Sequence, residues 1–315
     1  MSTLALIEAA RAAIRPHLLQ TPVLLSEPLS AMLGQPVYLK LDNLQITGSF
    51  KVRGALFRLL HLGPETRTVT TCSAGNHGKG LAWAARLLGI EAVVHVPSSV
   101  DQAKAEGIAA LGAQVRRSRF IGYDDTELVA REDAARTGTP FISAFDDPHI
   151  MAGNGGTLAL EVMEQVPAAR TFILPVSGGG LAGGFAVAAR HHLPDATLIA
   201  VQHAECRALS RSLEEGRAIT RMPEIETLAG GLEGGLGALP FAALRDRTDR
   251  VMHVREDELL DGLRWLLATH QLLVEPTSAA VIAACLQRPA LTGPTVVVLT
   301  GRNVAYSTLR ALLGA

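Results

Sequence analysis

Apolar, β-branched runs alternate with stretches of helical periodicity along almost the whole chain. The run at residues 295–300 is apolar on both faces, which is typical of a strand in a parallel sheet covered by helices. Strands are predicted at residues 36–41, 68–72, 92–96, 114–117, 141–144, 171–176, 197–202, 251–254 and 295–300. Helices are predicted at residues 78–88, 102–111, 124–136, 181–192 and 256–270. This alternation predicts an α/β fold with open, doubly wound sheets.

The length of the chain and the placement of these runs predict two domains. A chain of 315 residues is long enough to divide its hydrophobic core. Residues 68–145 are predicted to form a smaller α/β domain, inserted into a larger domain made of residues 1–67 and 146–315. We expect no regulatory domain, because no C-terminal extension is left over for one.

Composition excludes several classes of protein. A net charge of −1 and a hydrophobic content of 48 % favour a soluble enzyme, and predict no nucleic-acid or membrane partner. Glu8 and Arg11 lie in an amphipathic N-terminal run, which argues against a signal peptide or a membrane span. The 3 cysteines lie far apart, which predicts a cytoplasmic protein without a disulfide framework. The 10 histidines are dispersed, and no metal site is predicted.

Lysine is scarce, and one copy lies in an unusual setting. Lys40, Lys51, Lys79 and Lys104 are the only lysines, so arginine supplies 25 of the 29 basic residues. A bias toward arginine explains the scarcity but not the segment Thr47-Gly-Ser-Phe-Lys51. A desolvated lysine amine can lose its proton and attack a carbonyl, whereas a guanidinium cannot. Lys51 is therefore a candidate Schiff-base nucleophile.

Two loops follow predicted strands and open predicted helices. The first is glycine-rich, and its amides at a helix N-terminus favour a phosphate, although a tight structural turn is the alternative. It comprises Ser177, Gly178, Gly179, Gly180 and Leu181. The second could hold a carboxylate through its amides and hydroxyl, with an asparagine that could donate to a phenolate. It comprises Ser73, Ala74, Gly75, Asn76 and His77, of which His77 is either a base or, more commonly, a packing residue.

Taken in chain order, these segments resemble the fold-type II pyridoxal-phosphate enzymes, in particular the serine/threonine dehydratase and serine racemase group. The resemblance covers nearly the whole chain and its lysine segment is specific. The matching segments are Thr21-Pro-Val-Leu-Leu25, the run from Lys40 to Ala55, residues 73–78, Phe145-Asp-Asp-Pro148, residues 178–180, Glu275-Pro276 and Thr300-Gly-Arg-Asn303. The resemblance implies two doubly wound domains of the tryptophan synthase β type, and a homodimer.

The resemblance also implies roles for the matching residues. Lys51 would form the Schiff base with pyridoxal phosphate, and Phe50 would lie against its ring. Asn76 would bond the phenolic oxygen, and Thr300 would face the pyridine nitrogen. The amides of residues 177–181 would cradle the phosphate, and residues 73–77 would bind the substrate carboxylate.

Four positions depart from the family pattern. Ala74 stands where racemases tend to have a proton-donating serine, so elimination is favoured over racemisation. Residues 152–157 read Ala-Gly-Asn-Gly-Gly-Thr where the family has one glycine fewer and a glutamine. Gln202, with Glu205 as the nearby carboxylate, replaces an acidic pattern that binds a divalent cation, so that site is expected to be absent or altered. Arg302 replaces a common glycine and could select the substrate by charge.

The resulting hypothesis is a dehydratase that eliminates the β-hydroxyl of L-threonine or L-serine and releases a 2-keto acid and ammonia. The substrate could instead be 3-hydroxyaspartate or phenylserine. An amino acid racemase and a non-catalytic ligand-binding relative are the other readings, and Ala74 and Lys51 respectively argue against them.

Overall fold

The structure is a computed structural model that describes residues 3–313. Its strands are β1 (Val23–Leu25), β2 (Val37–Leu41), β3 (Thr68–Cys72), β4 (Glu91–Val96), β5 (Gln114–Arg117), β6 (Thr171–Pro175), β7 (Thr197–His203), β8 (Arg250–Val254) and β9 (Thr295–Leu299). Its helices in the first half are α1 (Thr3–Ile14), α2 (Glu27–Leu33), α3 (Lys51–Leu60), α4 (Asn76–Leu88), α5 (Gln102–Ala109), α6 (Tyr123–Thr137), α7 (Pro148–Met151) and α8 (Thr157–Gln165). The remaining helices are α9 (Gly180–His192), α10 (Ala208–Glu215), α11 (Ala238–Leu244), α12 (Glu256–His270), α13 (Pro276–Leu286) and α14 (Tyr306–Leu313).

A six-stranded sheet forms the larger of two layers, in the order β1-β2-β9-β6-β7-β8. All its neighbours are parallel except β1, which runs antiparallel to β2 at one edge. Parallel strands need helical crossovers, and helices accordingly cover both faces. None of the helices in residues 3–313 is long and apolar enough to cross a membrane.

The central strand β9 shows why this sheet is apolar on both faces. Val296 and Val298 belong to the core cluster that includes α1, α3 and α9. Val297 and Leu299 point to the opposite face and belong to the cluster that includes α12 and α13. Successive side chains alternate between faces, so a strand between two helical layers must be apolar at every position. The predicted doubly wound α/β class is confirmed.

The second sheet contains β3, β4 and β5, all parallel. All three strands lie within residues 68–145, which we retain as the proposed boundaries of the smaller domain. The fourth strand predicted there, at residues 141–144, is wrong, because only Phe141 makes a bridge, to Thr70. Beyond it the Ser143 hydroxyl accepts from the Asp146 amide and turns the chain away from the sheet, and the carbonyl of Ala144 is bonded by Lys51.

The extra glycine of the segment 152–157 is accommodated by a π-helical turn, Ala152–Gly156, between α7 and α8. A π-turn adds one residue to a helix without breaking it. The turn is fully buried, and a Cβ at Gly155 would lie 1.8 Å from the carbonyl oxygen of Leu181. Asn154 in this turn accepts a hydrogen bond from the Gly54 amide at 2.8 Å and so satisfies a first-turn donor of α3.

A buried ion cluster joins the larger sheet to α3 and α8. The Arg53 guanidinium donates to both oxygens of Asp42 at 2.8 and 2.7 Å and to Glu161 at 2.9 Å. The amine of Lys40, which is 0 % exposed, donates to Glu161 and to the Thr21 carbonyl. Although burial opposes its ionisation, the Arg53 guanidinium, then Lys40 and the Thr21 hydroxyl, hold the pKa of Asp42 below its ordinary value.

The variant Asp42→Asn should lower the free energy of unfolding by about 3 kcal/mol, because it leaves Arg53 buried with an incomplete counter-charge. Urea denaturation at pH 7 measures the change. The wild-type contribution should be complete above the ordinary pKa of 3.8 and lost only as pH falls through the lowered folded value. Asp257→Asn, which removes an exposed partner of Arg255, is the control and should leave stability unchanged. Equal effects of the two variants would contradict this role for the cluster.

Candidate active site

The predicted site residues meet where loops leave the carboxyl ends of β3, β6 and β9. The Phe50 amide bonds the Thr300 carbonyl at 3.1 Å, which places the lysine segment beside the end of β9. Asn76 bonds Glu275 at 2.7 Å, which links the loop after β3 to the start of α13. Ligands bind at this edge in open α/β sheets, so the topology assembles the site.

Lys51 begins α3 and its amine points back to the chain after Ala144. Nζ donates to the Ala144 carbonyl at 3.0 Å and lies 5.3 Å from the centre of the Phe50 ring. Burial lowers the pKa of Lys51 from 10.5 to about 8, and the Glu275 carboxylate opposes the shift. A sizeable fraction of the amine is therefore neutral near physiological pH and able to attack a carbonyl carbon.

The glycine-rich loop offers a set of free amides. Among residues 3–313, no protein acceptor is bonded to the amides of Ser177, Gly178 or Gly179. Gly180 and Leu181 open α9, where the first amides of a helix lack intrahelical acceptors. Gly179 has φ +84°, and a Cβ there would lie 2.6 Å from Leu236. The loop thus presents consecutive donors at a helix N-terminus, which is the chemistry of a phosphate cradle.

The loop after β3 is tightened by its own serine. The Ser73 hydroxyl accepts from the amides of Gly75 at 3.2 Å and Gly78 at 2.9 Å, and it keeps its own proton available to a ligand. Asn76 is the first residue of α4 rather than part of a free loop. Ala74 packs half-buried against the core and carries no titratable group.

His77 is buried, and its surroundings favour a packing role over a basic one. Burial, followed by the nearby Lys51 charge, lowers the pKa of His77 from 6.5 to about 3, while the main chain of Ile142 acts weakly in the other direction. Neither ring nitrogen makes a hydrogen bond of ordinary geometry. Such an imidazole stays neutral at physiological pH and takes up a proton poorly.

Thr300 shares its hydroxyl with Ser278 on α13, at 2.8 Å. The Ser278 oxygen also accepts from the amides of Thr300 at 3.0 Å and Gly301 at 2.7 Å. Both hydroxyls are buried and uncharged. Sequence patterns indicate Ser278 only as a helix-opening residue, because its partners lie more than 20 positions away.

A hydrogen-bond chain connects Asn76 to residues that sequence patterns do not single out as functional. Asn76 Nδ2 donates to Glu275 at 2.7 Å, and Asn76 Oδ1 accepts from Asn303 Nδ2 at 2.7 Å. Asn303 Oδ1 in turn accepts from Lys79 Nζ at 3.2 Å. Burial raises the pKa of Glu275 to about 7, against the Asn76 hydrogen bond and the charges of Lys104, Lys79 and Lys51. The scarcity of lysine was a usable signal, since three of four copies act on one carboxylate.

The other departures from the family pattern lie apart from this cluster. The buried side chain of Gln202 bonds the Ser210 amide at 3.1 Å, and Glu205 is exposed. Across residues 3–313 there is no group of three or more His, Cys, Asp or Glu side chains that could hold a metal ion. Arg302 is exposed, with its amide bonded to the Gly48 carbonyl.

Comparison with known proteins agrees with this geometry. A family model for pyridoxal-phosphate dependent enzymes matches residues 14–301. The chain belongs to this family. An L-threonine ammonia-lyase of Thermotoga maritima is 36 % identical over 96 % of this chain and 76 % of its own length. A serine racemase of Arabidopsis thaliana is 33 % identical over 96 % of this chain and 93 % of its own. A crystal structure of a bacterial-type threonine deaminase, from the source abbreviated T.th., has a TM-score of 0.90 and 36 % identity, covering 96 % of this chain and 99 % of that chain.

The family's cofactor is pyridoxal phosphate, and the residues present fit it. The free amides of residues 177–181 suit its phosphate, and the Lys51 amine suits its aldehyde. When bound, the cofactor supplies the electron sink for a carbanion at the substrate's Cα. We propose that Asn76, Thr300 and Phe50 contact its ring, and that residues 73–77 bind the substrate carboxylate.

Cofactor loading of the apoprotein should depend on pH with a midpoint near the Lys51 pKa of about 8, because only the neutral amine attacks the aldehyde. The initial rate at which the visible absorption band develops after addition of pyridoxal phosphate measures this midpoint. Glu275→Gln should move it to lower pH, because the Glu275 carboxylate raises the Lys51 pKa. Lys51→Arg, the control, should give no band. A wild-type midpoint near 10.5, or an upward move in Glu275→Gln, would overturn this account.

Proposed function

We propose that the protein is a dehydratase that converts an L-β-hydroxy amino acid, threonine or serine, to a 2-keto acid and ammonia. One observation carries the proposal: a buried amine of lowered pKa lies beside an alanine where a racemase would need a second proton donor. The name of the threonine ammonia-lyase relative, at 36 % identity, supports the same reaction class.

Lys51 has two roles in this reaction. Its Nζ binds the cofactor's aldehyde carbon and, once displaced by the substrate's amino group, removes the proton from Cα. The electron pair at Cα becomes the Cα–Cβ double bond as the Cβ–O bond breaks, so that one hydrogen and the hydroxyl leave as water. The released enamine tautomerises and is hydrolysed by water to the keto acid and ammonia. The amino acid's atoms balance without an oxidant or a further reactant.

The other residues position the substrate and limit competing reactions. The amides of residues 73–77 hold the carboxylate, which fixes the Cα–H bond toward Lys51. A neutral hydroxyl at Thr300 does not enforce a proton on the pyridine nitrogen. This restrains delocalisation of the Cα charge and favours prompt loss of the β-hydroxyl over transamination. We expect the enzyme to act as a cytoplasmic homodimer, as its resemblance to the family implies.

A racemase is the second candidate, because a relative 33 % identical carries that name. Racemisation requires a proton on the face of Cα opposite the base. Ala74, at the position where racemases tend to have serine, has no proton to give. A dehydratase for 3-hydroxyaspartate or phenylserine differs from the first candidate only in the substrate's side chain.

A panel of L- and D-β-hydroxy amino acids should yield keto acid most rapidly from L-threonine or L-serine, followed by coupled reduction of the product. Lys51→Ala should reduce kcat by at least about a thousandfold and remove the visible band of the bound cofactor, since the variant loses both anchor and base. Failure to release keto acid from any member of the panel would refute the dehydratase. Chiral chromatography should show D-serine forming more slowly than keto acid.

Ala74→Ser should increase the formation of D-serine from L-serine by at least about tenfold, because the new hydroxyl can deliver a proton to the second face. The matched control is Ala74→Gly, which changes size without adding a proton donor. Chiral chromatography of timed samples measures both enantiomers. An equal increase in the two variants would show that space rather than proton delivery limits racemisation.

A further inference from the structure

The hydrogen-bond chain through Asn76 has a direction that its two ends determine. Lys79 Nζ donates to Asn303 Oδ1 at 3.2 Å. Asn303 Nδ2 donates to the Thr47 carbonyl at 2.9 Å and to Asn76 Oδ1 at 2.7 Å. Asn76 Nδ2 then donates to Glu275 Oε1 at 2.7 Å. Each of the two amides therefore has one partner on its oxygen and at least one on its nitrogen.

Side-chain amides can turn over and exchange their oxygen and nitrogen, so their orientation depends on their neighbours. An ammonium has only donors, and it therefore requires the oxygen of Asn303 on its own side. The Thr47 carbonyl has only acceptor capacity and requires the nitrogen of Asn303 on the other side. Asn76 must then present its oxygen to Asn303 and its nitrogen to Glu275. The second hydrogen of Asn76 Nδ2 is left for a further acceptor.

The two ends of this chain do not direct it equally near neutral pH. Ionised Glu275 can only accept, but its pKa is raised to about 7, and the protonated acid can also donate. A donating Glu275 would permit the opposite orientation of Asn76. The groups that act on Glu275 are Asn76, Lys104, Lys79 and Lys51. The lysine end keeps the direction when the carboxyl end does not.

We propose that Lys79 is a positioning residue that, through Asn303, holds the Asn76 amide with its N–H toward the phenolic oxygen of the cofactor. The proposal rests on the cofactor contact proposed above for Asn76. Asn76 and Lys79 lie one helical turn apart in the first turn of α4, so their side chains project from the same face. The stem of Lys79 lies over α5, because a Cβ at Gly107 would be 3.0 Å from Lys79 Cε. The amine is thus directed at Asn303 from a supported side chain.

Lys104 separates this role from a general effect of charge. Its positive charge acts on both Glu275 and Lys79, as Lys79 acts on Glu275. The Lys104 side chain is exposed and forms none of the hydrogen bonds of the chain. Lys104→Met therefore removes a neighbouring positive charge while all four side chains of the network remain.

The holoenzyme variants Lys79→Met, Lys79→Arg, Lys104→Met and Asn76→Ala test the proposal at pH 6, below the Glu275 pKa of about 7. The readouts are the absorption spectrum of the bound cofactor and its dissociation constant, with far-UV circular dichroism to check folding. Lys79→Met should shift the spectrum toward that of Asn76→Ala and raise the dissociation constant about tenfold, as expected for one lost hydrogen bond to a charged group. Lys79→Arg keeps a head with donors only and should retain the wild-type spectrum. Lys104→Met should do the same.

A wild-type spectrum in Lys79→Met, or equal shifts in Lys79→Met and Lys104→Met, would overturn the proposal. An unchanged spectrum in Asn76→Ala would also overturn it. If Lys79→Met does not fold, Asn303→Asp takes its place, because it removes the donor to Asn76, and a wild-type spectrum there refutes the proposal. Because these readouts need no substrate, a wild type that binds cofactor but releases no keto acid would refute the dehydratase alone.

Discussion

The buried ion cluster around Arg53 fixes the helix on which the chemistry depends. Arg53 lies two residues after Lys51 in α3, so its bonds to Asp42 and Glu161 hold the first turn of that helix against the sheet. From the opposite side, Asn154 satisfies the Gly54 amide. A lysine amine on a long, flexible side chain gains a defined position only if its Cα is immobile. The cluster therefore converts a mobile nucleophile into a directed one, at the cost of burying charges.

Desolvation and a shortage of side chains work together at the reaction centre. The same burial that lowers the Lys51 pKa raises that of Glu275, which brings an amine and a carboxyl into the neutral pH range side by side. Where the phosphate cradle is needed, side chains are absent. Gly178 already meets the Phe145 ring at 2.4 Å from the position of a Cβ, so no larger residue fits. The site is built by removing water in one place and side chains in another.

The residues that local patterns could predict are those whose chemistry is local. Lys51 and the loop at residues 177–181 stand out because a lysine, glycines and a preceding strand are adjacent in sequence. Asn303, Lys79 and Ser278 do not stand out, because their partners lie 227, 224 and 22 positions away along the chain. The strand expected at residues 141–144 has suitable β-branched and apolar residues, but the bond from Lys51 to the Ala144 carbonyl takes the chain out of the sheet. Local propensity yields there to a tertiary contact.

The π-helical turn at Ala152–Gly156 has a consequence for how this chain could change over evolutionary time. An insertion in an ordinary α-helix rotates everything beyond it by about 100°, which would swing Glu161 away from Lys40 and Arg53. A π-turn confines the additional residue to one widened loop of backbone. The segments before and after it keep their facing partners. Gain or loss of this glycine is thus an isolated event, and helix α8 can preserve its ion pairs through a change in chain length.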